Sequence, residues 1–381
     1  MTTETVLTNA KLVLADIIIE GSLRIFEGLI DEVSDAPSYA VGAIDAEGDY
    51  IMPGLVELHT DNLEKHCVPR PRVHWPVPSA VMAHDAQIAA SGITTVFDAI
   101  AVGGAIDNDD REAMLAASAE AIRSAVTHGY LRVTHFLHMR CEVANPRALE
   151  LFEPFREEPL VKLISLMDHT PGQRQFVDPT KLKVYYQGKY GLNDIQFERM
   201  VEQRQEFQKL YSEKHRATIA AACRERGLIT ASHDDATQAH IVEAQSLGVT
   251  ISEFPTTIEA AEAAHGCGMT TIMGGPNVVR GGSHSGNVSA AALAESGLLD
   301  ALSSDYVPSS LLHGALTLHD DNGLTLPEAV ATVTRNPARM VGLNDRGEIA
   351  VGRRADLVRV CRLDDGTPVV RQTWRAGERV A

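Results

Sequence analysis

Positive charge is in short supply in this 381-residue chain. Its 34 Lys and Arg face 51 Asp and Glu, a formal net charge of −17 at pH 7. So acidic a chain is a poor partner for nucleic acid or an anionic membrane, because both are bound through cations that neutralise phosphate. An anionic substrate must then be held by a local cluster of cations or by metal. Long apolar runs are missing too: none approaches the ~18 residues of a membrane span. The first residues, MTTETVLTNAKLVL, lack the basic stretch and apolar core of a secretory signal. Cysteine is sparse: Cys67, Cys141, Cys223, Cys267 and Cys361, an odd number with no CxxC pair. Reduced thiols in a cytoplasmic protein are the expectation. There is no internal repeat and no low-complexity tract. With 44% hydrophobic and 22% charged residues, a disordered or fibrous chain is excluded.

Two textures divide the chain. TVLTNAKLVL, IIIEGSLRIFEGLIDEVS and AIDAEGDYIMPG alternate apolar and polar residues, with Gly or Asp at the breaks. The tail, GEIAVGRRADLVRVCRLDDGTPVVRQTWRAGERVA, reads the same way. One small β-domain built from both termini, residues 1–52 plus 343–381, is expected. Between them, over 53–342, eight short apolar runs alternate with helical patterns. They are MPGLVELHTD, GITTVFDAI, RVTHFLHMRCE, LVKLISLMDH, LITASHDD, GVTISEFP, MTTIMGGPN and ALSSDY. Strands alternating with helices mean parallel βα units, and eight of them suit a (β/α)8 TIM-type barrel in an α/β protein. A doubly wound sheet usually carries a glycine fingerprint after its first strand. Here that strand runs straight into His59-Thr60-Asp61.

The runs end in polar clusters: His59, Asp61 and Asn62; Asp98; His138, Arg140 and Glu142; Asp168 and His169; His233, Asp234 and Asp235; Glu253; Asn277; and Asp305. In α/β barrels these strand ends form the active face. So many titratable groups are costly to bury without metal or mutual pairing. His59 and Asp61 are two apart on a strand and share a face, which suits a divalent metal. Taken alone, the pair also reads as an ordinary capped strand end; the other strand ends favour metal.

HTD after a Pro-Gly strand, the late strand-end His and Asp, and the tail NPARMVGL…GEIAVGRRADLVRV resemble the amidohydrolase superfamily. A narrower resemblance rests on PGLVELHTDNLEKH, PRPRVHWP, LMDHTPGQRQF, YYQGKY, ASHDDATQAH, EFPTT, MGGPNVVRGGSHSGNVSA and LSSDYVPSSLL. These look like the PhnM family, which hydrolyses α-D-ribose 1-methylphosphonate 5-triphosphate to the 5-phosphate and diphosphate in the carbon–phosphorus lyase pathway. The resemblance implies a metal-bearing barrel beside a small β-sandwich made from both termini, one or two divalent ions (Zn, Mn or Mg), a small phosphorylated ribose phosphonate as substrate, and a possible homodimer. It implies metal ligands among His59, Asp61, Glu142, His169, His233, Glu253 and Asp305, with Asp305 as general base and His233 beside it in catalysis. The chain departs from the superfamily pattern at three points. His-x-Asp stands for His-x-His, and Glu253 replaces a sixth-strand histidine. The bridging lysine has no counterpart; Glu142 or the Asp168-His169 pair could take its role. Carboxylate for imidazole favours Mn²⁺ or Mg²⁺, with Zn²⁺ still an option.

A phosphorus target asks for positioning and neutralised charge. Lys65, Arg70 and Arg72, Arg140, Arg174, Lys189, and Arg280 with His284 are the expected phosphate holders. Prolines 69 and 71 stiffen the arm that carries two of them. The bland alternative is a set of solvated surface cations. Cys67 and Cys141 read as core residues. His66, His84, His135 and His240 read as structural, and Asp98 as either an orienting partner or a strand cap. One of Asp234 and Asp235 should face the site and the other cap the following helix. Two further readings are a C–N hydrolase on the same barrel and a catalytically silent scaffold. The first has less need of so many cations, and the second would have lost its metal ligands.

Overall fold

The computed structural model describes residues 4–71, 73–104, 110–174, 193–283 and 286–381. Two eight-stranded sheets organise the chain. The first holds β1 (Glu4–Val13), β2 (Ile18–Phe26), β3 (Leu29–Ser34), β4 (Ile44–Asp45) and β5 (Tyr50–Pro53) from the start of the chain. From its end come β14 (Leu357–Arg362), β15 (Pro368–Arg375) and β16 (Glu378–Arg379). β5 pairs antiparallel with β14 and parallel with β1, so the two ends share one sheet as the alternation suggested. Its inner face packs Leu7, Leu12, Leu23, Ile25, Ile51, Leu357 and Trp374.

The second sheet is parallel and strictly sequential: β6 (Leu55–Thr60), β7 (Ile93–Val102), β8 (Thr134–Glu142), β9 (Val161–Met167), β10 (Ile229–His233), β11 (Ile251–Glu253), β12 (Thr270–Gly274) and β13 (Ala301–Ser303). Each falls within or beside one of the eight apolar runs. A Thr60–Asp305 bridge brings the last strand back to the first and makes a barrel. All ten residues of β7 are buried, as expected for a parallel strand covered on both faces. Val56, Leu58, Phe97, Leu163, Ala231, Ile251 and Ile272 fill the interior, and the alternate residues pack outward against helices. Thr237 and Thr257 cap the helices that follow β10 and β11, and Ser289 caps the helix Ala290–Glu295, each by accepting a backbone N–H. Gly54 joins the two sheets. A Cβ there would lie 2.3 Å from the Thr94 hydroxyl, so only glycine lets β5 run directly into β6.

Asp98 corrects its sequence reading. It lies in the middle of β7 and points outward, beneath the helix Val77–Ala90, rather than capping a strand end. There it accepts from His84 Nε2 and His135 Nδ1, each at 2.7 Å. His135 reaches Asp85 with its other nitrogen at 3.3 Å, and Asp85 takes the Arg132 and Val133 amides. His84 meets the Asn62 amide at 3.0 Å. With a carboxylate on each nitrogen, His135 is an imidazolium. Burial works against its charge, but Asp98 and Asp85 outweigh it and lift the pKa to about 9.

The folded state therefore binds the His135 proton more tightly than the unfolded chain. That stabilisation is complete below about pH 6.5 and is lost as pH rises through about 9. Its size is on the order of 3 kcal/mol. Urea unfolding of wild type should weaken between pH 6.5 and 9.5, and His135→Asn should flatten that slope while lowering stability at pH 7. An unchanged slope in the variant would remove His135 as the cause.

Candidate metal centre and active site

Three imidazoles converge above the apolar interior at the C-terminal end of the barrel. His59 ends β6, His233 ends β10, and His169 lies two residues past β9. Each is turned by a carboxylate on Nδ1. Glu253 Oε1 takes His59 Nδ1 and its Oε2 takes His233 Nδ1, both at 2.7 Å. Glu142 Oε2 takes His169 Nδ1 at 2.7 Å, and its other oxygen takes the His169 amide at 3.0 Å. Fixing Nδ1 in this way presents Nε2 of all three rings to the site, the arrangement that second-layer carboxylates impose on metal-binding histidine. The Nε2 atoms meet further carboxylates: His59 Nε2 lies 3.8 Å from Asp61 Oδ1, and His233 and His169 Nε2 lie 3.5 and 3.7 Å from Asp234 Oδ2.

Four groups among the described residues have metal-ligand spacing: His59–Asp61–Asp305, His169–His233–Asp234, His59–His138–Glu253 and His84–Asp98–His135. The first two are the ones built on the Nε2 atoms that face the site. Glu253 and Glu142 hold these histidines in place: the Glu253 oxygens take the His59 and His233 rings and the Ser165 hydroxyl, and the Glu142 oxygens take the His169 ring and amide. Asp234 Oδ2 is buried and has no hydrogen-bond partner among the described residues. A buried carboxylate oxygen left bare is costly unless a cation meets it, so the residues present fit a divalent ion.

Backbone conformation aims these side chains. Asp234, Phe254 and Asp305 lie just past β10, β11 and β13 with φ of +56°, +56° and +54°. Asp enters this left-handed region readily; a phenylalanine there is strained. The Phe254 ring lies 5.0 Å from His59 and 5.4 Å from His233, both edge-on, and packs against the pair, whose rings stack at 5.8 Å. Asp305 is tied to the first strand: its N–H donates to the His59 carbonyl at 3.0 Å, and its carbonyl accepts from Asp61 N–H at 2.7 Å.

The electrostatics divide by environment. Burial pushes the Glu253 carboxyl upward, but the His59 ring and the hydrogen bonds from His233 and His59 hold it well below the usual range. Glu142 falls to about 2, where burial is outweighed by His169. Burial drives His138 down to about 3, so that ring is neutral between the Leu58 carbonyl and Ser165. Asp305 moves the other way, raised by burial and then by the Asp61 charge.

The expected phosphate holders part company. Arg140 meets Asp61 at 2.5 Å within the site. Lys65 is exposed at the mouth, with its ammonium on the Tyr306 carbonyl and 5.1 Å above the Tyr306 ring. Arg70 and Arg280 are exposed, Arg280 at the end of the helix Gly275–Val279 that follows β12. Arg174 is corrected: only 5% exposed, it is bound to Asp235 and Glu243 and donates to the His233 carbonyl at 3.3 Å. It braces the end of β10. Asp235 is its partner and not a helix cap; Thr237 does the capping. Arg72, Lys189 and His284 lie outside the described residues.

Sequence reading missed Ser165, Phe254 and Glu57. Ser165 donates to Glu253 Oε2 at 2.8 Å. A lone serine at an inward position of the apolar run VKLISLM was its available signal. Nothing local announced Phe254, because its role arises from a backbone angle.

Carboxylate-turned imidazoles at the C-terminal face of a (β/α)8 barrel define a metal-centred barrel hydrolase. The chain belongs to the amidohydrolase family, whose family model matches residues 79–381. A relative from Escherichia coli strain K12, alpha-D-ribose 1-methylphosphonate 5-triphosphate diphosphatase, is 49% identical over 377 residues, covering 98% of this chain and all of that protein. Among solved structures, a Xaa-Pro dipeptidase with bound methionine superposes with a TM-score of 0.67 at 14% identity, covering 99% of each chain. The 5-methylcytosine deaminase from Klebsiella pneumoniae gives 0.65 at 14% identity, covering 99% of this chain and 97% of its own. Those two share the fold.

Glu253→Gln exchanges one acceptor for a donor facing an imidazole N–H. Metal affinity should fall about ten- to a hundredfold with the fold retained, as losses of outer carboxylates typically do. Titration with Mn²⁺ or Zn²⁺ measures this, and an unchanged Kd would sink the orienting role.

Proposed function

We propose that the chain hydrolyses α-D-ribose 1-methylphosphonate 5-triphosphate to the 5-phosphate and diphosphate, using divalent metal held by His59, Asp61 and Asp305 and by His169, His233 and Asp234. The observation that carries the metal is the three rings held at Nδ1, with Nε2 of His169 and His233 facing the bare Asp234 Oδ2 and Nε2 of His59 facing Asp61. The substrate class rests on the near full-length relative. Residues 53–342 form the catalytic domain in this reading, and 1–52 with 343–381 the second. The five free thiols fit a cytoplasmic location.

The charge pattern supports the reading. Asp61, Asp234, Asp305, Glu142 and Glu253 crowd one buried region, with Arg140 and Arg204 as the near cations. A triphosphate meets net repulsion there unless metal intervenes. A divalent ion supplies that neutralisation and lowers the pKa of water. The residues do the rest. The Asp305 carboxylate, made more basic by burial and by Asp61, takes a proton from the attacking water. Oxygen adds to phosphorus, the anhydride P–O bond breaks, and diphosphate leaves. Arg140 swings between Asp61 and the phosphate oxygens, and Lys65 and Arg280 hold the chain of phosphates at the mouth. Arginine's fork matches two phosphate oxygens at once.

Phosphorus NMR of purified protein with Mn²⁺ and the ribose triphosphate should show diphosphate appearing, and far more slowly from ATP in a parallel tube. No diphosphate from metal-loaded protein would overturn the assignment and point to a C–N bond, tested with a panel of cyclic amides. Two variants divide the roles. Asp305→Asn should keep the fold and lower kcat by about 10²–10⁴-fold; turnover near wild type would exclude it as the base. Arg280→Ala should raise KM about tenfold and leave metal content alone, and unchanged KM and kcat would refute its contact with phosphate.

A further inference from the structure

Seven of the eight joints in the barrel are strand ladders, whereas β13 and β6 meet through the single Thr60–Asp305 bridge. Below that bridge the seam is open. The segment Thr332–Val333 wedges into it, taking the Leu302 amide on the Thr332 carbonyl and the Val56 amide on the Val333 carbonyl, both at 2.9 Å. Between wedge and bridge sits Glu57, completely buried. Its Oε1 accepts the His59 amide at 2.7 Å and its Oε2 the Ser304 amide at 2.6 Å. One carboxylate does here what a ladder does elsewhere, and it joins the residue before Asp305 to His59 itself.

We infer that Glu57 is a positioning residue: by clasping the seam it holds His59 and Asp305 in one rigid frame, and so sets the geometry of the first metal group. The inference rests on the metal and hydrolase reading above. Three more bonds complete the frame. Asp305 N–H meets the His59 carbonyl, Asp61 N–H meets the Asp305 carbonyl, and the Thr60 hydroxyl meets that same carbonyl at 3.0 Å. Every one depends on β6 and the Ser304–Asp305 segment staying in register. Asp305 also holds a left-handed backbone, which aspartate adopts readily and which the bonds to His59 and Asp61 fix in place. A core residue at position 57 would fill the space and leave two buried N–H groups bare. A carboxylate, costly as it is to bury, satisfies both.

Glu57→Gln keeps the shape but sets an amide NH2 against one of the two N–H groups. Glu57→Asp keeps the carboxyl group on a shorter arm. Three readouts separate positioning from bulk stability: Tm, Mn²⁺ affinity without substrate by electron paramagnetic resonance, and the split between kcat and KM. Leu23→Ala, a cavity in the packed face of the terminal sheet, serves as a control matched for loss of Tm. The expected result for Glu57→Gln is a Mn²⁺ Kd raised about tenfold and kcat lowered at least about tenfold, with KM within about twofold. Glu57→Asp should recover part of both, and Leu23→Ala should change neither. Folded Glu57→Gln with wild-type Kd and kcat overturns the inference. If Glu57→Gln does not fold, wild-type values in Glu57→Asp do so. Wild-type protein without diphosphatase activity defeats the functional reading, while the Mn²⁺ arm still decides the role of Glu57.

Discussion

One carboxylate, Glu253, carries the site. It is fully buried and accepts from His59, His233 and Ser165, three donors on three different strands. An unpaired carboxylate at that depth would be prohibitive, so the surroundings are arranged around it. Its two oxygens each fix one ring, and the two rings belong to different metal groups. The spacing between those groups is therefore set by the bite of a single side chain. Neutral His138, behind Ser165, extends the support to the interior face of β8.

Around that anchor the protein repeats one device, an acid buried behind the group that does the work. Glu142 stands behind His169, with Arg204 beyond it at 3.8 Å. Asp235 stands behind Arg174, which braces the His233 carbonyl. Asp85 and Asp98 stand behind His135 and His84, and His84 holds Asn62, the residue next to Asp61. The strong acidity of the chain is thus partly an internal scaffold and not only a solvated surface.

Much of this was legible in the sequence because parallel βα units write themselves as period changes, and each of the eight runs contains a strand. Titratable residues where a run gives way to a loop mark the active face for the same reason, since a strand end is a fixed place in a barrel. What a linear pattern does not contain is which way a mid-strand residue faces once a bulge intervenes, and which of two neighbouring acids wins a partner. Asp98 reads like a strand end because the apolar run around it is short, yet β7 continues to Val102. Arg174 reads like a phosphate ligand because its loop is basic, yet the stronger attraction is a buried acid 61 positions away. Glu253 and Glu142 read as ligands because ligand and orienting carboxylate are the same residue type; a linear pattern does not contain the ring N–H groups that reach both acids.

The shared sheet has a consequence for how the chain is made. β5 leads through Gly54 into the barrel, but its other neighbour, β14, begins at Leu357. During synthesis the first strands emerge long before their partner, and the edge of β5 stands unpaired while the barrel is being translated. At about 5–20 residues per second that interval lasts some tens of seconds, and an unpaired strand edge over that time invites association with other chains. That edge closes only once β14, from Leu357 onward, has been made.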